Sequence, residues 1–273
     1  MALYRLTDLD DPRLAPFQSL KATNATRWAE RFVAEGDKLV QRLLATDFTV
    51  HSVLAGASHL SALDAETTRN LDVLVVPDAW IEGIVGFNFH RGLLACAQRK
   101  PNPDVAALCR AAGNQATLVV CPDVQNPENL GSILRLADAF GVCAVMLGGE
   151  CADPLSRRVL RVSMGSALRV PVARCDDLQA DLAALRSQCG VEVWATATSA
   201  RESFDGTARP ARLALVFGSE GHGLTPQWLE FCDRAIRVPM LGAVDSLNVA
   251  VAAGIMLYHL TRPTPGRPPQ AEK

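Results

Sequence analysis

Apolar positions fall into two patterns along this chain. In the second half they form short unbroken blocks, such as Leu118-Val119-Val120-Cys121, Val145-Met146-Leu147 and Leu213-Ala214-Leu215-Val216-Phe217. Blocks of this kind predict strands buried on both faces, as in a parallel sheet covered by helices. The reading gives strands over 117–121, 142–147, 191–197 and 213–217, with helices over 129–140, 176–187, 226–231 and 246–260. The last helix carries Ala250, Ala252, Ala253 and Gly254, small residues that permit close packing. Earlier in the chain, extended segments at 31–35, 49–55, 71–76 and 92–97 alternate with helical ones at 37–44 and 78–85, which predicts a small α/β or α+β module.

Between the two parts stands Arg99-Lys100-Pro101-Asn102-Pro103, followed by an alanine-rich helical turn. Proline resists both helix interiors and central strands, so this stretch reads as a linker. The expected organisation is a first domain at 1–98, a linker at 99–114, a larger α/β domain at 115–262 and a disordered proline-rich tail at 263–273. No internal repeat is evident.

Composition narrows the function. A chain of 273 residues with 49% apolar and 21% charged residues is globular, and its net charge of -2 gives no global attraction for nucleic acid. Any such contact must be local, and Arg157, Arg158, Arg161, Arg169 and Arg174 do occur without an intervening acid. A solvated helix face explains such a cluster equally well. The eight cysteines form no C-x-x-C pair and mostly lie in apolar runs, so they read as reduced core residues and not as disulfides or a metal site. With no apolar leader at the N-terminus and no stretch long enough to span a bilayer, a cytoplasmic protein is expected.

Three polar segments interrupt the apolar pattern. In Asn126-Pro127-Glu128-Asn129-Leu130-Gly131-Ser132-Ile133-Leu134-Arg135, Asn126 or Asn129 can cap the following helix, and Arg135 taken alone reads as a surface cation. Gly218-Ser219-Glu220-Gly221-His222-Gly223-Leu224 follows an apolar strand and lets the backbone approach a ligand closely, although its spacing is not that of the dinucleotide fingerprint. Asp245-Ser246-Leu247-Asn248 opens the last helix, with Ser246 or Asp245 as its expected cap.

Together, in this order and spacing, these segments and the intervening Val238-Pro239-Met240 resemble the three motifs of the SpoU (TrmH-like) family of RNA 2′-O-ribose methyltransferases. Ser163 to Leu168 and Val170-Pro171-Val172 resemble a further helix-then-strand segment of that family. The resemblance covers residues 115–260 strongly; residues 20–97 are more weakly similar to the L30e-type substrate-binding module that precedes the catalytic domain in many members. It implies a trefoil-knotted α/β methyltransferase domain with a mostly parallel sheet, preceded by a small L30e-like α/β domain and assembled as a homodimer. It also implies S-adenosylmethionine as cofactor, held through Gly218, Val238, Met240 and Leu247, with Gly221 leaving room in the cleft. Catalysis then falls to Arg135, assisted by Asn129, Glu220, Ser246 and Asn248. A guanidinium scarcely deprotonates in a protein, so an electrostatic role for Arg135 is physically easier than that of a base.

For RNA contact the candidates are Arg157, Arg158, Arg161 and Arg169, expected beside the cleft, with Lys21, Arg27, Arg31, Lys38 and Arg42 in the first module. The implied substrate is structured RNA, and the leading module tilts the expectation toward ribosomal RNA. The alternatives are a tRNA 2′-O-ribose methyltransferase and a non-catalytic RNA-binding relative. No metal or membrane partner is expected.

Overall fold

The structure is a computed structural model that describes residues 2–18, 20, 29–63, 68, 71–86, 92–113 and 115–261. The proposed tail and two of the candidate cations, Lys21 and Arg27, lie outside the described residues. In chain order the elements are β1 (Ala2–Arg5), β2 (Arg31–Glu35), α1 (Asp37–Leu44), β3 (Val50–Gly56), β4 (Asp72–Val76), α2 (Asp78–Val85), β5 (Leu93–Gln98), α3 (Val105–Ala111), β6 (Ala116–Cys121), α4 (Pro127–Ala139) and β7 (Ala144–Leu147). They continue with α5 (Arg157–Val162), β8 (Val172–Arg174), α6 (Leu178–Cys189), β9 (Glu192–Thr196), β10 (Glu202–Ser203), β11 (Arg212–Phe217), α7 (Pro226–Phe231), β12 (Arg234–Arg237) and α8 (Val249–Thr261).

Two compact units result: residues 1–101 with 153–169, and residues 102–152 with 170–273. The first contains a mixed sheet in the order β1-β4-β3-β5-β2, parallel from β1 to β3 and antiparallel from β3 to β2. Leu14, Phe17, Leu54, Leu74, Ile81, Val85 and Leu94 make one of its buried clusters. The inclusion of 153–169 departs from the expectation of an uninterrupted domain over 115–262. Asp153 anchors this segment through a two-pronged pair with Arg99, at 3.0 and 2.8 Å, and α5 lies against β2 with Arg157 Nε 3.5 Å from the buried Glu35 carboxylate. Arg42 on α1 also donates a hydrogen bond to the Met164 carbonyl. Nothing in the apolar pattern of α5 marks this excursion, because Val159 and Leu160 would be buried in either unit.

In the second unit all strand pairings are parallel, in the order β10-β12-β9-β11-β6-β7-β8. β6 and β7 are buried along their whole length, as their continuous apolar runs require. Leu118, Val120, Val193 and Val216 pack with Cys109 of α3 and with Leu178, Leu182 and Leu185 of α6. α4 packs on α8, where Gly254 faces Leu136 and an added Cβ would sit in ordinary contact, 3.4 Å from its methyl groups.

Two departures bear on the site. β12 was not expected, because Arg234-Ala235-Ile236-Arg237 has one fully buried apolar residue and two exposed arginines, yet it pairs with both β9 and β10. α8 begins at Val249 and not at 246: the cap is Asn248, whose Oδ1 accepts from the N–H groups of Ala250 at 2.9 Å and Val251 at 3.3 Å. All eight cysteines are free thiols. Among the described residues no helix is long and apolar enough to cross a membrane.

Candidate active site

In an open parallel sheet, ligands bind beyond the carboxyl ends of the strands. In the second unit a cavity of about 670 Å³ lies at the ends of β6, β9, β11 and β12. The segment after β6 supplies Asn126 and Asn129 and the turn after β9 supplies Thr198 and Ser199; the loop after β11 runs along one side, and the 238–248 loop after β12 provides Val238, Met240, Ser246, Leu247 and Asn248.

The loop after β11 is a miniature hairpin. Ser219 and Gly223 exchange two backbone hydrogen bonds, 3.1 and 3.0 Å, and Gly223 adopts φ +65, a left-handed conformation that favours glycine. Gly218 is required for a different reason: a Cβ there would lie 2.2 Å from the Gly223 carbonyl carbon, so only a residue without a side chain lets the hairpin close on itself. At Gly221 an added Cβ meets nothing within 4 Å, so the fold does not require glycine at this lining position.

Three side chains from separate stretches of sequence meet in one hydrogen-bond chain. Asn248 Nδ2 donates to Asn129 Oδ1 at 2.9 Å, and Asn129 Nδ2 donates to Glu220 Oε1 at 2.8 Å. The backbone N–H of Asn126 also points at Glu220 Oε1, 3.3 Å away. The direction of the chain follows from α8. Its free N–H groups need an acceptor, which commits the Asn248 oxygen to the helix and turns the amide nitrogen toward Asn129. Asn129 must then present its oxygen to Asn248 and its nitrogen to the carboxylate. One helix cap thereby fixes the orientation of three polar groups, and Asn129, buried on α4, is satisfied on both amide atoms.

Of the residues singled out by sequence, Asn129, Glu220, Ser246, Asn248, Gly218, Gly221, Val238, Met240 and Leu247 all line this cavity. Arg135 does not. It is exposed on α4, and six residues at helical pitch carry it about 120° around the axis from Asn129. The cations Arg31, Lys38, Arg157, Arg158, Arg161 and Arg169 belong to the first unit. Arg157 is half-buried against Glu35, and burial lowers its pKa while Glu35 opposes that shift; it serves as an internal ion-pair partner. Arg31, Lys38, Arg158 and Arg169 are exposed. Arg237 was missed as a lining residue because β12 was missed, and once β12 is a strand position 237 stands at its carboxyl end; Thr198 and Ser199 follow the expected β9 but lie in none of the three motif segments. Among the described residues no cluster of His, Cys, Asp and Glu could hold a metal ion.

The lining is suited to a nucleoside-bearing cofactor. Backbone of a glycine hairpin and the apolar side chains of Phe217, Leu224, Val238, Met240 and Leu247 offer a flat, largely uncharged wall, next to a preoriented polar chain. This parallel α/β sheet, with the cavity enclosed by its last two loops, has the trefoil-knotted fold of the methyltransferases whose solved structures it resembles. The chain belongs to the SpoU rRNA Methylase family, whose model matches residues 116–258. It is 37% identical over 272 residues to a Mycobacterium tuberculosis protein described as an uncharacterized tRNA/rRNA methyltransferase, a match covering 93% of this chain and 90% of the relative. It is 35% identical over 216 residues to the Xylella fastidiosa 23S rRNA (guanosine-2′-O-)-methyltransferase RlmB, covering 77% and 86% of the two chains. Among solved structures, an AdoMet-bound rRNA methyltransferase from Sinorhizobium meliloti superposes with a TM-score of 0.80 at 28% identity, covering 94% of this chain and 97% of that one.

Proposed function

We infer that this protein transfers a methyl group from S-adenosylmethionine to a ribose 2′-hydroxyl of structured RNA, with ribosomal RNA as the favoured substrate. The observation that carries the reading is the Asn248–Asn129–Glu220 chain at the edge of the cavity. The RlmB relatives support the ribose 2′-oxygen as acceptor and ribosomal RNA as substrate.

Gly218, Val238, Met240 and Leu247 would hold the adenosine, with Gly221 keeping the hairpin low beside it. When bound, S-adenosylmethionine supplies an electrophilic methyl group on a sulfonium. The protein's part is to position the hydroxyl and ease loss of its proton. Glu220 accepts from Asn126 and Asn129 through Oε1 alone, which leaves Oε2 to accept a hydrogen bond from the ribose hydroxyl, with Ser246 at the same cavity wall. Fixing these groups in advance lowers the barrier by positioning and avoids reorganisation during the reaction.

Arg135 is assigned the stabilisation of negative charge developing on the oxygen. Because it faces away from the cavity of its own chain, it would serve the cavity of a second copy in a homodimer. Beside α4, the exposed Val251, Ile255 and Tyr258 form an apolar stripe along α8 that such a dimer would cover. In the first unit, an L30e-type module in this reading, exposed Arg31, Lys38, Arg158 and Arg169 and the half-exposed Arg161 would contact RNA phosphates. The setting is the cytoplasm.

The test is methyl transfer from S-adenosylmethionine to RNA from cells lacking the gene, with ribosomal and transfer RNA fractions assayed separately. Incorporation into the ribosomal fraction is expected; incorporation into tRNA alone would favour the tRNA reading, and none into either would contradict the enzyme assignment.

A further inference from the structure

At the carboxyl ends of β9 and β12 the cavity has a rim that the reaction chemistry above does not use. Arg237 ends β12, is exposed, and among the described lining residues is the only arginine or lysine. Two acids, Glu220 and Asp245, share the lining. The Arg237 guanidinium has no hydrogen-bond or ion-pair partner among the described residues, in contrast to that of Arg234 on the same strand, which pairs with Glu192 and Glu202. Next to it, Ala197 N–H donates to the Ile236 carbonyl at 3.0 Å, and a turn closed by Ala200 N–H on the Ala197 carbonyl exposes Thr198 and Ser199. The β9–β12 pairing therefore brings one guanidinium and two hydroxyls to the same corner of the cavity.

We propose that Arg237, with Thr198 and Ser199, is a phosphate-binding rim that seats the RNA backbone of the substrate beside the cavity. The inference rests on the function proposed above and adds a residue that sets how the substrate is held. A polyanionic chain approaching a cavity that displays two carboxylates needs a local counter-charge, and among the described lining residues Arg237 is the only arginine or lysine. An exposed guanidinium beside hydroxyl donors matches the geometry of a phosphate, which takes several hydrogen bonds at once. The order β12-β9-β11-β6 sets this rim three strand spacings, about 14 Å, from the segment carrying Asn126 and Asn129. With the polar chain on the β6 and β11 side and this rim on the β9 and β12 side, Arg237 in this proposal acts on a neighbouring phosphate, as a positioning residue.

The test uses the full chain with total RNA from cells lacking the gene as methyl acceptor, and calorimetry for S-adenosylmethionine. Wild-type methyl transfer to that RNA establishes the parent reading on its own. Arg237→Gln is then expected to raise the KM for RNA about tenfold, the loss of one charge-assisted contact, with kcat within about twofold and cofactor affinity unchanged. The slope of log KM against log salt should change by about one. Arg237→Lys should recover part of the loss, and Thr198→Val with Ser199→Ala should weaken RNA by a smaller factor. An unchanged KM and salt slope in Arg237→Gln, a fall in kcat alone, or a weakened cofactor with RNA KM intact would each overturn the proposal.

Discussion

The first and third turns of α4 carry polar residues of one motif in opposite situations. Asn129 is buried, bonded on both amide atoms and oriented by the cap of a helix 119 residues away in sequence. Arg135, six positions on, is exposed and outside the cavity lining. A motif read along the sequence treats the two as neighbours in one site. The helix separates them, and what the contrast teaches is that one chain gathers the polar chain at its cavity while Arg135 is presented outward, where in the homodimer proposed above the cavity of a second copy would receive it.

The sharpest way to break this comparison is to divide the two halves between chains. Arg135→Ala and Asn129→Ala should each lower methyl transfer by about 10²–10³-fold, the cost of losing a preorganised stabilising group, with S-adenosylmethionine binding nearly intact for Arg135→Ala. Equal mixing of the two inactive variants, unfolded and refolded together, should restore up to about a quarter of wild-type activity, since half the dimers then hold one complete site. No recovery in verified mixed dimers would place Arg135 in its own chain's chemistry or outside it.

The role of the Asn248 cap can be separated from its role in orientation. Asn248→Asp keeps an acceptor for the α8 N–H groups but cannot donate to Asn129, so activity should fall at least about tenfold while the Tm stays within about a degree or two. Asn248→Ala should lose both, with destabilisation of about 1 kcal/mol and a Tm lower by about 2–4 °C. Equal melting temperatures for the two variants would remove the cap from the argument.

Smaller effects distinguish the glycines. Gly218→Ala must displace the Gly223 backbone, so it should lower both Tm and cofactor affinity, whereas Gly221→Val meets open space and should weaken cofactor binding without lowering Tm. Calorimetry and thermal melts read the two together. In the first unit, Arg158→Glu should weaken RNA binding in a salt-dependent manner, and Arg157→Gln should instead lower Tm because it leaves the buried Glu35 without its partner.

The central fold was legible because a parallel sheet writes itself as unbroken apolar runs; β6, β7, β9 and β11 all fall within or against the predicted spans. Where burial is partial the pattern fails. β12 exposes alternate arginines and was passed over, which hid Arg237, and α5 gave no sign that it belongs with the first unit because an amphipathic helix is the same in either setting. The cavity lining was legible through the motif resemblance: Gly218, Gly221, Val238, Met240 and Leu247 all border it, whereas Arg135 does not. Their coupling was not. Placing the last helix at 246 made Ser246 or Asp245 the cap, whereas Asn248 holds that position and through it orients Asn129 and Glu220, a relation that only long-range packing creates.

The most direct test of the account is chemical. RNA from cells lacking the gene is incubated with the protein and S-adenosylmethionine carrying an isotopically labelled methyl group, digested to nucleosides and read by mass spectrometry. The account predicts label on the ribose 2′-oxygen of a single nucleoside type, reduced to background by Asn129→Ala. Label on a base, or ribose label that survives the loss of Asn129, would contradict it.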